Sequence, residues 1–361
     1  MSEFSKEAID AITTNLNDIK RRLSLDIEGN DSSNWNGDEI VKGGKNVIYY
    51  GVPGSGKSHE IDQIIDNDFS ERVVFHPDYS YSDFVGQILP RVIKLEGEAE
   101  GKLRYVFEPG PITKMIKKAH GDRHHMYYLV IEEINRGNAP AIFGDAFQLL
   151  DRDDDGFGKY QIHNYDMAKV IYEKEDDKAI TMPANLTLLA TMNTSDQNVF
   201  TLDTAFQRRW EMHLINNDVH KANHADRKIE GSKVTWGRFA EVTNNEIIRF
   251  GETMGSSEDK RLGAYFAQIN ELSKDRFPEK ILKYLWDDAF KMDHYTYFNE
   301  SIKSLDGLIE TFKSSNSDID ALKRVLRLSV YSQMIDQGIG NDKTEKADSA
   351  QTEEGEGADD E

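Results

Sequence analysis

The sequence contains no cysteine, which excludes disulfide bonds, thiolate metal ligands and a cysteine nucleophile, and which fits a reducing compartment. Long apolar runs are also missing. The longest, such as 127–131 and 186–192, fall far short of the roughly 20 residues that a membrane-spanning helix requires. The amino terminus, Met-Ser-Glu-Phe-Ser-Lys-Glu, has neither the basic nor the apolar region of a signal peptide. These absences predict a cytoplasmic protein without a membrane partner.

Basic residues are scarce relative to acidic ones. The 361-residue chain has 44 Lys and Arg against 65 Asp and Glu, which gives a formal net charge of −21. Proteins bind DNA largely by neutralising its phosphates with cations, so a chain this acidic is a poor non-specific DNA binder. We therefore expect any contact with DNA to be local or to be made through a partner.

Short apolar runs alternate with helical stretches in the first half of the chain. Runs of this kind, without polar alternation, are typical of strands buried on both faces of a parallel sheet that helices cover. The pattern predicts an α/β fold. The predicted strands are Asn46–Tyr50, Arg72–His76, Tyr128–Glu132, Leu186–Met192 and Trp210–Leu214.

The remaining chain has helical periodicity or little hydrophobicity. Apolar residues at helical spacing over residues 5–25 predict a helix with one apolar face. This helix either packs on the main domain, or it forms a coiled coil or docks on a partner. Apolar faces over 277–293, 302–312 and 319–330 predict an all-helical second domain. The predicted organisation is an amino-terminal helix and linker (1–42), an αβα core (43–215), a helical lid (216–337) and a disordered acidic tail (338–361).

One motif predicts a phosphate-binding loop. Gly51-Val-Pro-Gly-Ser-Gly-Lys-Ser58 fits the pattern G-x-x-x-x-G-K-[ST], between a predicted strand and a predicted helix. Backbone N–H groups of such a loop cradle an anion, its lysine reaches the β- and γ-phosphates, and its hydroxyl binds Mg²⁺. The predicted nucleotide-binding residues are Gly51, Pro53, Gly54, Ser55, Gly56, Lys57, Ser58 and His59.

Polar residues at the ends of later strands extend this site. Glu132 suits the Mg²⁺ shell and Glu133 suits polarising a water for attack on the γ-phosphate. Asn193 follows another apolar strand and can hold that water. Arg208 and Arg209 are candidates for a finger that acts on the nucleotide of a neighbouring subunit.

The ordered set of motifs resembles the McrB-type branch of the AAA+ NTPases, the motor subunits of McrBC-like restriction systems. The resemblance covers about residues 43–215 well and the helical part loosely. Besides the phosphate loop, it depends on Phe75–Phe84, Ile131–Asn138, Ile142–Leu150, Met192–Asp196 and Leu202–Trp210.

The resemblance implies hexameric rings that hold ATP or GTP with Mg²⁺ between subunits, and a McrC-like partner that carries the nuclease. By position, Lys57 and Ser58 are the Walker A residues and Glu133 is the catalytic base. Asn193 is sensor 1, and Arg208 or Arg209 is the trans-acting finger. Glu132 stands where the family usually has Asp.

Two other functions remain open from the sequence. A MoxR-like ATPase that remodels protein complexes would suit the acidic surface. A nucleotide-gated assembly module that does not hydrolyse would suit a glutamate at position 132.

Overall fold

The computed structural model describes residues 40–94, 100–173, 178–194, 200–254, 260–314 and 319–335. The predicted amino-terminal helix (5–25) and its linker lie outside these residues, and so does the predicted acidic tail (338–361). The boundaries predicted between core, lid and tail stay predictions. Within the described ranges, no helix has the length and apolar character to cross a membrane.

The strands form one central parallel sheet and two small antiparallel pairs. The central sheet has five strands in the order β2-β5-β8-β1-β9, and this confirms the predicted α/β class. In chain order the strands are β1 (Asn46–Gly51), β2 (Ser70–Val74), β3 (Gly86–Ile93), β4 (Lys102–Pro109), β5 (Tyr127–Glu132), β6 (Gln161–Ile162), β7 (Ile180–Thr181), β8 (Leu186–Asn193) and β9 (Glu211–Leu214).

The register of the sheet places the candidate residues at one edge. Gly51, where the phosphate loop begins, pairs with Asn193 at the end of β8. Ile131 of β5 pairs with Ala190 of β8, so Glu132 also lies near that edge. Because the strands are parallel, their carboxyl ends meet at the same crevice, where open α/β sheets bind ligands.

Helices cover the sheet and build the remainder of the described chain. Proline occupies the first position of one helix (Pro111) and the second position of another (Pro140), and it helps to fix the helical φ there. The α-helices are α1 (Lys57–Asp62), α2 (Tyr81–Phe84), α3 (Pro111–Gly121), α4 (Ala139–Phe143), α5 (Tyr165–Tyr172), α6 (Thr204–Gln207), α7 (Trp236–Met254), α8 (Leu305–Lys313), α9 (Ala321–Val325) and α10 (Leu328–Ile335).

Buried apolar side chains form two large clusters. The first surrounds the sheet and runs from Ile48 to Trp210. The second is built by the helical part between Val219 and Met334, and aromatic rings dominate it. Its fully buried aromatic side chains are Trp236, Phe239, Phe277, Phe290, Tyr297, Phe298 and Phe312.

Two predicted helices differ from the structure. Over 277–293 the helical turns are of the wide π type, at Pro278–Leu282 and Leu285–Ala289. The stripe over 319–330 is not one helix. Leu326 is extended and bridges to Phe298, while the N–H of Arg327 donates to the carbonyl of Tyr297 at 2.9 Å. This backbone pairing replaces helical hydrogen bonds and separates α9 from α10.

The antiparallel pair β3–β4 was not predicted. Ile88 lies opposite Phe107, and Val92 lies opposite Leu103, so one face of this pair is apolar. Most of that face is exposed, including Tyr105 at 75% of its surface. Leu103, Tyr105 and Phe107 share this face of β4, while Lys102, Arg104 and Glu108 lie on the other face. Residues 102–108 therefore carry a period-two strand signal, which a search for continuous apolar runs misses.

Candidate active site

The phosphate loop has the backbone that its glycines permit. Gly54 and Gly56 have φ values of 74° and 100°, a region that other residues adopt only with strain. At Gly54 a side chain is also excluded by space, because a Cβ atom would lie 2.6 Å from the backbone nitrogen of Phe266. The backbone conformation that forms the anion-binding concavity of the loop therefore requires glycine at these positions.

Lys57 is buried at the base of this loop. Its ammonium donates to the carbonyls of Gly51 at 3.1 Å and Val52 at 3.0 Å. Burial lowers the pKa of Lys57 to about 8, against the opposing effects of Glu133 and Glu132. The lysine thus keeps its charge at neutral pH. When a nucleotide binds, its phosphate oxygens would accept the hydrogen bonds that the ammonium here donates to the two carbonyls.

Glu132, the last residue of β5, contacts the first turn of α1. The hydroxyl of Ser58 donates to Oε2 of Glu132 at 3.2 Å, and the hydroxyl of Thr191 donates to the same oxygen. Mg²⁺ prefers oxygen ligands and usually takes one or two carboxylates beside phosphate oxygens. The adjacent hydroxyl and carboxylate are ligand types that fit this ion, and the assignment of Ser58 and Glu132 to Mg²⁺ stays a prediction.

Glu133 is placed by a strained backbone and by polar contacts. Its φ of 56° is left-handed, and its N–H donates to the hydroxyl of Thr191 at 3.1 Å. The side-chain amide of Asn193 donates to Oε1 of Glu133 at 2.6 Å, and Nε of Arg136 lies 3.4 Å from Oε2. Non-glycine residues in this conformation concentrate at functional sites. The two residues predicted to act on water therefore contact each other.

Most of these residues line one cleft of about 450 Å³, whereas Glu132 lies behind Ser58 and is not part of the lining. The lining includes most of the predicted nucleotide-binding residues, together with Glu133 and Asn193. Ser55 is buried beneath the loop instead, and Gly51 contributes its carbonyl to Lys57. Sequence reasoning missed three of the lining residues: Thr191, Asn223 and Tyr265.

The helical part of the chain holds the phosphate loop directly. The N–H of Gly263 donates to the carbonyl of Pro53 at 3.1 Å, and the N–H of Tyr265 donates to Gly54 at 2.8 Å. The indole of Trp236 in turn donates to the carbonyl of Ala264 at 2.9 Å. A displacement of the helical part would therefore reach the phosphate loop through backbone hydrogen bonds.

The two candidate arginines have different surroundings. Arg209 pairs with Asp151 at 2.7 Å, donates to the carbonyl of Ala205 and lies over the ring of Phe147 at 4.1 Å. Its side chain is only 10% exposed. Arg208 is exposed, and its side chain has no polar partner in the described part of the chain. Neither arginine lines the cleft.

The site combines a glycine-built phosphate loop, a lysine at its base and two acids at the end of β5, which β8 separates from β1. Together these features define a P-loop NTPase of the AAA type. The profile of the AAA domain (dynein-related subfamily) matches residues 46–210.

Two curated relatives place the chain more closely. The type II restriction enzyme BsuMI component YdiS of Bacillus subtilis is 34% identical over 73% of this chain and 86% of its own length. The McrB subunit of a type IV methyl-directed restriction enzyme of Escherichia coli is 25% identical over 70% of this chain and 56% of its own length. The chain belongs to the McrB-type family of AAA+ NTPases.

Proposed function

We propose that this protein is the nucleotide-driven motor subunit of a restriction system that defends against foreign DNA, such as phage DNA, and that it hydrolyses ATP or GTP with Mg²⁺. The observation that carries the proposal is the contact between Asn193 and Glu133 in the same cleft as Lys57 and Ser58. This arrangement combines a cradle for phosphates with a carboxylate that can take a proton from water. The two restriction enzyme components among its relatives support the biological setting.

Each residue has a defined task in this reaction. Lys57 would hold the β- and γ-phosphates. Ser58 and Glu132 would hold Mg²⁺, which would neutralise the charge that develops on the phosphate oxygens. The oxygen of the attacking water bonds to the γ-phosphorus while Glu133 accepts a proton from that water. The bond from the γ-phosphorus to the nucleoside diphosphate breaks, and the diphosphate leaves. Asn193 keeps the carboxylate of Glu133 oriented through its 2.6 Å hydrogen bond. The products are a nucleoside diphosphate and inorganic phosphate.

An arginine from a second copy would complete the charge balance. Arg208 is exposed and does not line its own cleft, which suits a finger that reaches the nucleotide of a neighbouring subunit. We therefore propose a homo-oligomeric ring with six subunits. We further propose that a McrC-like partner carries the nuclease and makes the DNA contacts, because the chain carries a net charge of −21.

The test is phosphate release from ATP and from GTP by the complex co-purified from its native operon. We expect turnover with at least one nucleotide, stimulation by the partner with DNA, and no turnover with Lys57→Ala. A complex that binds nucleotide but never releases phosphate would contradict the motor and support an assembly module. Turnover that depends on a protein client, with no nuclease subunit in the complex, would support a remodelling ATPase.

A further inference from the structure

Four side chains, those of Ser58, Glu132, Arg72 and Asp62, form a closed circuit of polar contacts that begins and ends on α1. Ser58 contacts one oxygen of Glu132, and Arg72 binds the other oxygen. The second guanidinium nitrogen of Arg72 binds Asp62, the last residue of α1. Ser58 and Asp62 are four residues apart on that helix, so they lie on the same face. Both ends of the circuit therefore start from α1.

The sheet register explains how Arg72 reaches Glu132. Arg72 of β2 lies opposite Val130 of β5, and Glu132 lies two residues further along β5. Side chains two residues apart on a strand project from the same face, so Arg72 extends diagonally along the sheet toward the carboxylate. The Glu132 end of the pair is shielded at 14% exposure of its side chain, whereas the Arg72 side chain is 35% exposed.

A glutamate needs such support more than an aspartate does. It has one more rotatable bond, so its carboxylate can reach more positions around Ser58. Arg72 occupies Oε1 and leaves Oε2 beside the hydroxyls of Ser58 and Thr191. Mg²⁺ requires nearly ideal octahedral geometry, whereas Ca²⁺ tolerates variable geometry. A fixed carboxylate oxygen therefore matters more for Mg²⁺.

We propose that Arg72, held by Asp62, is a positioning residue that fixes the Glu132 carboxylate and thereby makes the nucleotide site selective for Mg²⁺. This inference rests on the proposed function, because it assumes that nucleotide and metal bind together in the cleft. It assigns Arg72 and Asp62 a role that the phosphate-loop and strand-tip motifs do not include.

The experiment measures metal-dependent nucleotide binding without turnover. A fluorescent ATP or GTP analogue is titrated onto the full chain in EDTA, and then with increasing Mg²⁺ or Ca²⁺. For Arg72→Met we expect the half-saturating Mg²⁺ concentration to rise about ten-fold, as losses of outer-shell partners commonly do. The half-saturating Ca²⁺ concentration should change much less. Asp62→Asn should give a smaller shift in the same direction.

Matched variants separate positioning from other roles. Arg91→Met removes an exposed arginine that pairs with Glu108 on the β3–β4 pair, and it should leave both metal titrations unchanged. In a Glu132→Asp background, Arg72→Met should shift the Mg²⁺ titration much less, because the shorter side chain needs less support. Melting temperatures of all variants report on any loss of folding.

Two results would overturn the inference. If Arg72 acts only as a positive charge that repels the ion, its removal tightens binding of both metals. If it serves only the stability of the sheet, the melting temperature falls while the ratio of Mg²⁺ to Ca²⁺ half-saturation stays at the wild-type value. A wild-type protein that binds no nucleotide with Mg²⁺ would instead refute the proposed function itself.

Discussion

The end of β5 and the segment 204–210 each carry two adjacent residues of like charge, and the structure gives the members of each pair different surroundings. Glu132 and Glu133 both contact partners from the same chain, Ser58 and Asn193 respectively. Arg209 is likewise enclosed, whereas Arg208 extends into solvent. The comparison shows that contacts within one chain hold both carboxylates and Arg209, whereas Arg208 is exposed and is the cation that we propose acts on a neighbouring subunit.

The largest effect is expected from removing that cation. Arg208→Ala should lower the turnover of the assembled ring by about 10³- to 10⁵-fold, because an arginine finger stabilises the charge of the transferring phosphoryl group. The folding stability of the subunit should change little, since the side chain is exposed and has no polar partner among the described residues. Mixing this variant with Lys57→Ala subunits should restore part of the turnover where an intact finger meets an intact cleft. An equal defect in isolated subunits would contradict a finger that acts between copies.

The next largest effect concerns the pair at β5. Glu133→Gln should lower turnover by about 10²- to 10⁴-fold while nucleotide affinity is retained, because the amide cannot accept the proton of water. Single-turnover phosphate release and equilibrium nucleotide binding would separate these two quantities. Glu108→Gln, an exposed acid on the β3–β4 pair, is the matched control and should be active. Normal turnover in Glu133→Gln would assign the base elsewhere.

Arg209 should behave as a structural residue. Arg209→Ala breaks a shielded ion pair with Asp151 and a contact with the ring of Phe147, at a cost of about 3 kcal/mol in the free energy of unfolding. Urea unfolding of the isolated subunit measures this loss. If Arg208→Ala destabilised the subunit more than Arg209→Ala, the roles assigned to the two arginines would be reversed.

The smallest effect is a pH dependence of nucleotide binding. The pKa of Lys57 is lowered by burial to about 8, and bound phosphates raise it again. Below pH 8 the lysine is already charged, so affinity should not change with protonation of this group. Above pH 8 binding must take up a proton, and affinity should fall by about ten-fold per pH unit. Calorimetry in buffers of different ionisation enthalpy would detect the proton, and Lys57→Met should abolish its uptake.

Much of the site follows from local sequence, and the structure shows why. The phosphate loop is contiguous, and its glycines occur where the backbone needs positive φ. The three inner strands of the central sheet, β1, β5 and β8, appear as apolar runs because both of their faces are mostly buried. Their parallel order then places Glu132, Glu133 and Asn193 at one edge without further information.

Other features depend on contacts between distant segments. The position of Arg72 beside Glu132 requires the register of β2 on β5, which residue patterns do not specify. The contact of Tyr265 with Gly54 joins positions more than two hundred residues apart. The choice between Arg208 and Arg209 depends on where α6 ends relative to Asp151. Such features need the folded chain because no local propensity encodes them.

The central claim is that a nucleoside triphosphate with Mg²⁺ occupies the cleft around Lys57. Equilibrium binding of fluorescent ATP and GTP analogues to the wild-type chain and to Lys57→Ala tests it most directly. The account predicts saturable binding of at least one triphosphate by the wild type, strengthened by Mg²⁺, and its loss in the variant. Equal binding by both proteins, or no binding by the wild type, would contradict it.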